Sequence, residues 1–263
     1  MIKRGLTIAI SGKGGTGKTM LSSLLVRYFS KRGSVFAIDA DPDSNLPEVL
    51  GMEVQKDVGS VREDVLDIRS DKISPSMSKK DIFEMELLQI IQESPDFDLL
   101  VMGRSEGAGC YCTINHILRD VIDTKAGNYD TVIIDCEAGL EHLSRRTTRG
   151  ADIMIVVTDA TKRGILTAKR VEELSREVDI GFDRIVVVAN KVTPETRPIL
   201  EEMGRQEGLE IIGYIPFDPM IAQFDAMGRS LFELPKDTPS VQAAYTIFDN
   251  IREEAEKRNQ KRG

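Results

Sequence analysis

The stretch GKGGTGKT at residues 12–19 constrains this chain more than any other. It fills every fixed position of the pattern G-x-x-x-x-G-K-S/T with Gly12, Gly17, Lys18 and Thr19, and Gly14, Gly15 and Thr16 lie between them. A β-rich apolar run at residues 6–11 precedes it, and a helical pattern at residues 20–30 follows. Strand, loop and helix in that order are the context in which this pattern has a mechanism. The glycines let backbone N–H groups turn inward around phosphate oxygens. The helix N-terminus adds its partial positive charge. In such a loop Lys18 reaches the β- and γ-phosphates of a nucleotide, and the Thr19 hydroxyl sits on Mg²⁺.

The rest of the chain keeps the same rhythm. Residues 35–39, 131–135, 153–158, 184–190 and 209–216 are short, β-rich and nearly all apolar, which suits parallel strands buried on both faces. Helical patterns separate them. Ile165, Ala168, Val171, Leu174 and Val178 form a stripe at helical spacing. The alternation predicts one α/β domain over residues 1–263, a mostly parallel sheet with helices on both faces. Hydrophobic content of 41% is ample for its core. Residues 54–80 are polar and weakly patterned and read as a surface excursion. A last helix, about residues 239–258, carries Val241, Ala244, Tyr245, Phe248, Ile251 and Ala255 on one face. Its polar face is rich in Glu, where membrane-surface helices favour Lys and Arg, so it is expected to pack on the domain.

A net charge of −8 argues against a nucleic-acid partner, which needs a basic face. Lys257, Arg258, Lys261 and Arg262 are too few to change that and read as a solvated tail. No apolar run approaches a membrane span. The N-terminal apolar run leads into the glycine loop and not into a cleavage site, so no signal peptide is expected. Three cysteines cannot make a disulfide framework, and the expectation is a cytoplasmic protein with reduced thiols.

Carboxylates stand where such a loop needs them. In AIDADPDSNL, Asp39 and Asp41 lie two apart at a strand end and can face one side. The carboxyl end of a strand beside the phosphate loop is the ligand site of open α/β sheets. Lys13, directly after the first glycine, marks the deviant form of the phosphate-loop motif. On these residues the chain resembles the family that holds the nitrogenase iron protein, MinD and ParA. The resemblance implies an ATPase that sandwiches ATP in a homodimer, with Lys13 reaching across to the other subunit's nucleotide. It further implies that Asp41 orients the attacking water, that Asp39 supports Mg²⁺ through water, and that Asn45 lies in a switch. In YDTVIIDCEAGLEHLSR it implies Asp135 as the second magnesium-side carboxylate and Gly139 as an N–H donor to the γ-phosphate. It places the Asn190 amide at the adenine edge, with Pro216 and Asp218 of GYIPFDP in the adenine-flanking loop.

Two of the three cysteines, Cys110 and Cys112 in GRSEGAGCYCTIN, stand one residue apart just before a helical stripe of Ile114, Ile117, Leu118, Val121 and Ile122. A helix N-terminus lowers a thiol pKa and favours the metal-binding thiolate. Residues i and i+2 of an extended chain point the same way, so both thiolates can bite one soft metal. A closed tetrahedral site wants four ligands, and the simplest completion is the same pair from a second subunit. Cys136, inside an apolar run, reads as a small packing residue. The segments MGRSEGAGCYC and DCEAGLEHLSR together resemble the CooC-type carbon monoxide dehydrogenase maturation ATPases. That resemblance implies a nickel-handling ATPase with carbon monoxide dehydrogenase as its client. Thiolates suit zinc and copper(I) as well, and the nickel preference comes from the resemblance alone. Two other readings stand beside it. A MinD- or ParA-like positioning ATPase would need a basic membrane helix or DNA-binding surface. An iron–sulfur electron carrier resembling the nitrogenase iron protein would draw its cysteines from segments far apart in sequence.

Overall fold

Strand residues in this chain alternate between two apolar cores, which is why their sequences show no polar face. The computed structural model describes residues 5–68, 77–104, 126–137, 151–177 and 182–262. Among these, eight strands form one sheet: β1 (Leu6–Gly12), β2 (Val35–Ala40), β3 (Gln92–Glu93), β4 (Asp98–Val101), β5 (Thr131–Cys136), β6 (Ile153–Thr158), β7 (Arg184–Val192) and β8 (Ile211–Pro216). Their order is β3-β4-β2-β5-β1-β6-β7-β8, and every pairing is parallel except the short edge pair β3–β4.

Ile8, Ile10, Ile133, Ile155 and Val188 enter one core, and Ala9, Val132, Ile134, Val156 and Val187 enter the other. The first core is closed by α1 (Lys18–Phe29), α2 (Leu46–Leu50) and the long C-terminal helix α8 (Pro239–Arg262). Tyr28 of α1 meets Tyr245 and Phe248 of α8 edge to face, an arrangement that aromatic quadrupoles favour. The last helix thus packs its Val241, Ala244, Phe248 and Ile251 into the body of the domain. No helix among the described residues is long and apolar enough to cross a membrane.

The second core is closed by α3 (Val58–Asp67), α4 (Lys79–Gln89), α5 (Lys162–Glu177) and α6 (Arg197–Glu207). Here the expectation of a surface excursion at residues 54–80 is corrected for Val58–Asp67, while residues 69–76 lie outside the described residues. Val58, Val61 and Val65 of α3 are buried, a stripe of three among charged neighbours that is too narrow to stand out in the sequence. Asp57 caps α3 by accepting from the Ser60 N–H, and Ser78 and Asp81 form a reciprocal capping box at α4. In α5, Ile165, Ala168 and Val171 are buried as expected, but Leu174 faces outward at 44% exposure.

The position of β1 fixes where a ligand can sit. It lies between β5 and β6: the chain leaves β1 for β2 on one side of the sheet, and β6, β7 and β8 extend the sheet on the other. Loops diverge at such a point and leave a crevice beyond the carboxyl ends of the strands. Gly12 ends β1 at φ 147°, and a Cβ there would lie 2.2 Å from the Val157 carbonyl oxygen of β6. Only glycine lets the chain leave the sheet so close to its neighbour.

Candidate nucleotide site

The phosphate loop is built as its sequence demands. The Lys13 carbonyl accepts from the Thr16 hydroxyl at 2.8 Å and from its N–H at 3.3 Å, closing a turn. Gly17 adopts φ 94° as the residue before α1, a left-handed conformation that side chains disfavour. A Cβ on it would also sit 2.2 Å from Asn190 Nδ2. Gly14, Gly15, Gly17, Lys18 and Thr19 line a cavity of about 550 Å³. Its other walls include Asp41 and Asn45 after β2, Asn190 of β7, Pro216 at the end of β8 and Asp218 after it. Strands far apart in sequence thus bring most of the expected residues to one crevice. Lys13 is exposed and is not part of this wall.

Two carboxylates lie below the loop on paired residues of adjacent strands. Asp39 of β2 and Asp135 of β5 are register partners, 0% and 1% exposed. Asp39 accepts from the N–H groups of Asp41 at 3.1 Å and Leu46 at 2.9 Å. Burial, then the charge of Asp135, still pushes its carboxyl up to about 7. Burial likewise raises Asp135 to about 6, although the Thr19 and Ser22 hydroxyls and the Lys18 charge oppose it. Asp135 Oδ1 accepts from the Ser22 hydroxyl at 3.0 Å, while its Oδ2 is buried with no hydrogen-bond partner. A buried, half-satisfied carboxylate next to another is costly unless a cation answers it. The donor set of Thr19, Asp135 and Asp39 is all oxygen, which fits a hard divalent cation such as Mg²⁺. Thr19 and Asp135, with Asp39 behind them, would hold such a cation, and its charge would stabilise the negative charge of a bound nucleotide's phosphates.

Asp41 is partly exposed at the cavity wall. Its own Oδ1 accepts from the Asp43 N–H at 3.0 Å, which fixes the turn and leaves Oδ2 for a further contact. Asn190 borders the cavity with its amide bonded to the protein. It is 2% exposed, its Nδ2 donates to the Thr16 carbonyl at 2.9 Å, and its Oδ1 accepts from the Lys191 N–H at 2.8 Å. The Asp218 carboxylate is likewise engaged, accepting from Met220 N–H at 3.0 Å and Ser240 N–H at 3.2 Å. It caps α7 (Pro219–Ala226) and ties that helix to the start of α8. Cys136 is 1% exposed, and burial raises its thiol well above the ordinary range, as befits a packing residue.

Gly139, Cys110 and Cys112 lie outside the described residues. Among the described residues no three His, Cys, Asp or Glu side chains are grouped to hold a metal, so the soft-metal expectation rests on the cysteine segment. Sequence reasoning missed Lys191, Phe217, Ile221, Asp225 and Arg229, which also line the cavity. Lys191 and Phe217 each sat beside a residue already singled out. The other three carry no local signal, because their position depends on how the chain folds back after β8.

Comparison with known proteins agrees with this geometry. Residues 7–231 match the model of the CobQ/CobB/MinD/ParA nucleotide binding domain. An uncharacterized ATP-binding protein of Methanocaldococcus jannaschii is 47% identical, covering 94% of this chain and 98% of that protein. The carbon monoxide dehydrogenase accessory protein CooC of Rhodospirillum rubrum is 31% identical over 87% of this chain and 90% of its own length. The solved structure of the septum site-determining protein MinD with Mg-ADP from Pyrococcus horikoshii matches with TM-score 0.69 at 21% identity, covering 95% of this chain and 97% of that one.

Proposed function

The chain belongs to the CobQ/CobB/MinD/ParA nucleotide-binding family of P-loop ATPases, and from that premise we propose that it is a CooC-type metallochaperone. In this reading ATP hydrolysis drives delivery of nickel, its substrate, to carbon monoxide dehydrogenase. The single observation that carries it is the Cys110-x-Cys112 pair in a chain 31% identical to a carbon monoxide dehydrogenase accessory protein along most of both lengths. A homodimer in the cytoplasm, with one metal ion bridging two cysteine pairs, completes the proposal. Zinc can occupy the same thiolates.

We assign the roles as the resemblance implies them, and the placement of the described residues supports the reading. Lys18 meets the β- and γ-phosphates, Thr19 and Asp135 hold the magnesium side, and Asp39 supports it through water. Asp41 orients the attacking water, and Gly139 offers its N–H to the γ-phosphate. Lys13 acts in the opposite subunit, a role supported by its exposure and its absence from its own cavity wall. Pro216 and Asp218 shape the base end of the cavity, and Asn190 contributes there through the loop it holds.

Coupling between nucleotide and cysteines has a physical route. The Met102 N–H donates to the Asp39 carbonyl at 2.8 Å, and the Arg104 guanidinium pairs with the Asp43 carboxylate. The chain that leads to Cys110 is therefore bonded to the segment carrying Asp39 and Asp41. A γ-phosphate that moves Asp41 also moves the root of the cysteine segment, a two-state element of the kind nucleotide switches use.

The test is activation of nickel-free carbon monoxide dehydrogenase supplied with Ni²⁺ and ATP. The wild-type protein is expected to accelerate activation, and Cys110→Ser to fail while still hydrolysing ATP. Activation by Cys110→Ser equal to wild type overturns the reading.

A further inference from the structure

Two non-glycine residues among the described ones adopt positive φ, and one of them, Lys191 at φ 57°, borders the nucleotide cavity. Such strain persists only where surrounding contacts enforce it. Here the enforcing feature is an irregularity in β7. The register with β8 runs Ala189 to Tyr214 and then jumps to Val192 with Pro216, so Asn190 and Lys191 fall in a bulge. Bulges re-aim side chains at strand ends.

The bulge aims two consecutive side chains at two consecutive carbonyls of the phosphate loop. Asn190 Nδ2 donates to the Thr16 carbonyl at 2.9 Å, and Lys191 Nζ donates to the Gly15 carbonyl at 2.9 Å. Asn190 Oδ1 in turn accepts from the Lys191 N–H, which holds the bulge in shape. In a planar trans peptide the carbonyl and the following N–H point opposite ways. Pulling the Gly15 and Thr16 carbonyls toward β7 therefore turns the next N–H groups away from it: the Thr16 N–H closes the turn onto the Lys13 carbonyl, and the Gly17 N–H faces the side of the loop away from β7. Carbonyls left facing a phosphate would repel it.

We propose that Lys191 is a positioning residue for phosphate binding, whose ammonium, carried on a strained bulge, pins the Gly15 carbonyl and holds the loop in its anion-binding shape before nucleotide arrives. The strain at φ 57° accompanies that pre-organisation. Lys191 is exposed, and it is the bulge that sets its backbone and directs its ammonium to the Gly15 carbonyl. The inference rests on the nucleotide site alone and is independent of the cysteine pair.

Three variants of the full chain test it: Lys191→Gly, Lys191→Met and Lys191→Arg. Each is assayed for apo thermal midpoint, for ADP and ATP dissociation constants, and for KM and kcat. Glycine relieves the strained φ but removes the ammonium. Its apo midpoint is expected to match or exceed that of wild type, while ADP and ATP both bind about tenfold more weakly, the worth of one charge-assisted hydrogen bond. Methionine keeps the stem and loses the donor, and is expected to weaken both nucleotides similarly, with KM rising more than kcat falls. Arginine keeps a donor and is expected to recover affinity to within about threefold. Should the glycine variant fail to fold, the methionine and arginine pair decides. Wild-type affinity in Lys191→Met, failure of arginine to rescue, or loss for ATP with ADP spared would each overturn the proposal. The last result would mean direct contact with the terminal phosphate.

Discussion

Replacing Asp135 with Asn should make the nucleotide-free protein more stable at pH 8 while removing its catalysis. Asp135 is 1% exposed, and burial sets its carboxyl at about 6 against an ordinary value of 3.8. In the unfolded chain the group ionises near pH 4; in the folded chain it holds its proton until about 6. Stability is therefore greatest where the group is neutral in both states, and falls as pH rises from about 4 through about 6. A gap of roughly two pH units is worth about 3 kcal/mol at ~1.36 kcal/mol per unit. Asparagine keeps an oxygen for the Ser22 hydroxyl, but its buried NH₂ group gives back about 1–2 kcal/mol. The expected net gain is about 1–2 kcal/mol, or an unfolding midpoint about 2–8 °C higher for a chain of this size. Thermal unfolding in the presence of a chelator, at pH 5, 6, 7 and 8, measures it. The advantage should grow from pH 5 to 7 and then level off. Adding Mg²⁺ and ATP should stabilise the wild type by more than the variant, because the orphaned Oδ2 is gone. A variant less stable than wild type at pH 8, or a margin that does not change with pH, would refute the reasoning.

Two other substitutions separate binding from chemistry. Asp41→Asn keeps an acceptor for the Asp43 N–H and its own N–H to Asp39. Nucleotide affinity should stay within about threefold, while single-turnover hydrolysis falls on the order of a hundredfold or more. Lys13→Ala leaves the backbone turn intact, since Thr16 bonds the Lys13 carbonyl and not its side chain. ADP binding by a monomer should persist, whereas sedimentation with ATP should show loss of self-association and turnover should fall with it.

The phosphate loop, the parallel sheet and the buried carboxylates were legible because each is local or periodic. Gly12, Gly17, Lys18 and Thr19 lie within one short stretch, and Asp39 and Asp135 each end an apolar run. Strand β4 was missed because four residues, Asp98–Val101, are too few to establish a period. Helix α3 was missed because three valines mark its buried side amid charged neighbours. The roles of Asn190 and Lys191 were hidden for a different reason. Their partners lie at Thr16 and Gly15, more than half the chain away, and the bulge that aims them depends on pairing with β8. Only tertiary packing brings those groups together.

The most direct test of the metal-delivery account is the stoichiometry of Ni²⁺ bound to the reduced protein. Titration should saturate at one ion per two chains. Binding should release protons and weaken as pH falls, because thiols must ionise to ligate. Cys110→Ser and Cys112→Ser should each abolish tight binding, while substitution of the buried Cys136 leaves the ratio unchanged. Saturation at one ion per chain, or undiminished affinity in both serine variants, would contradict a metal held between two subunits.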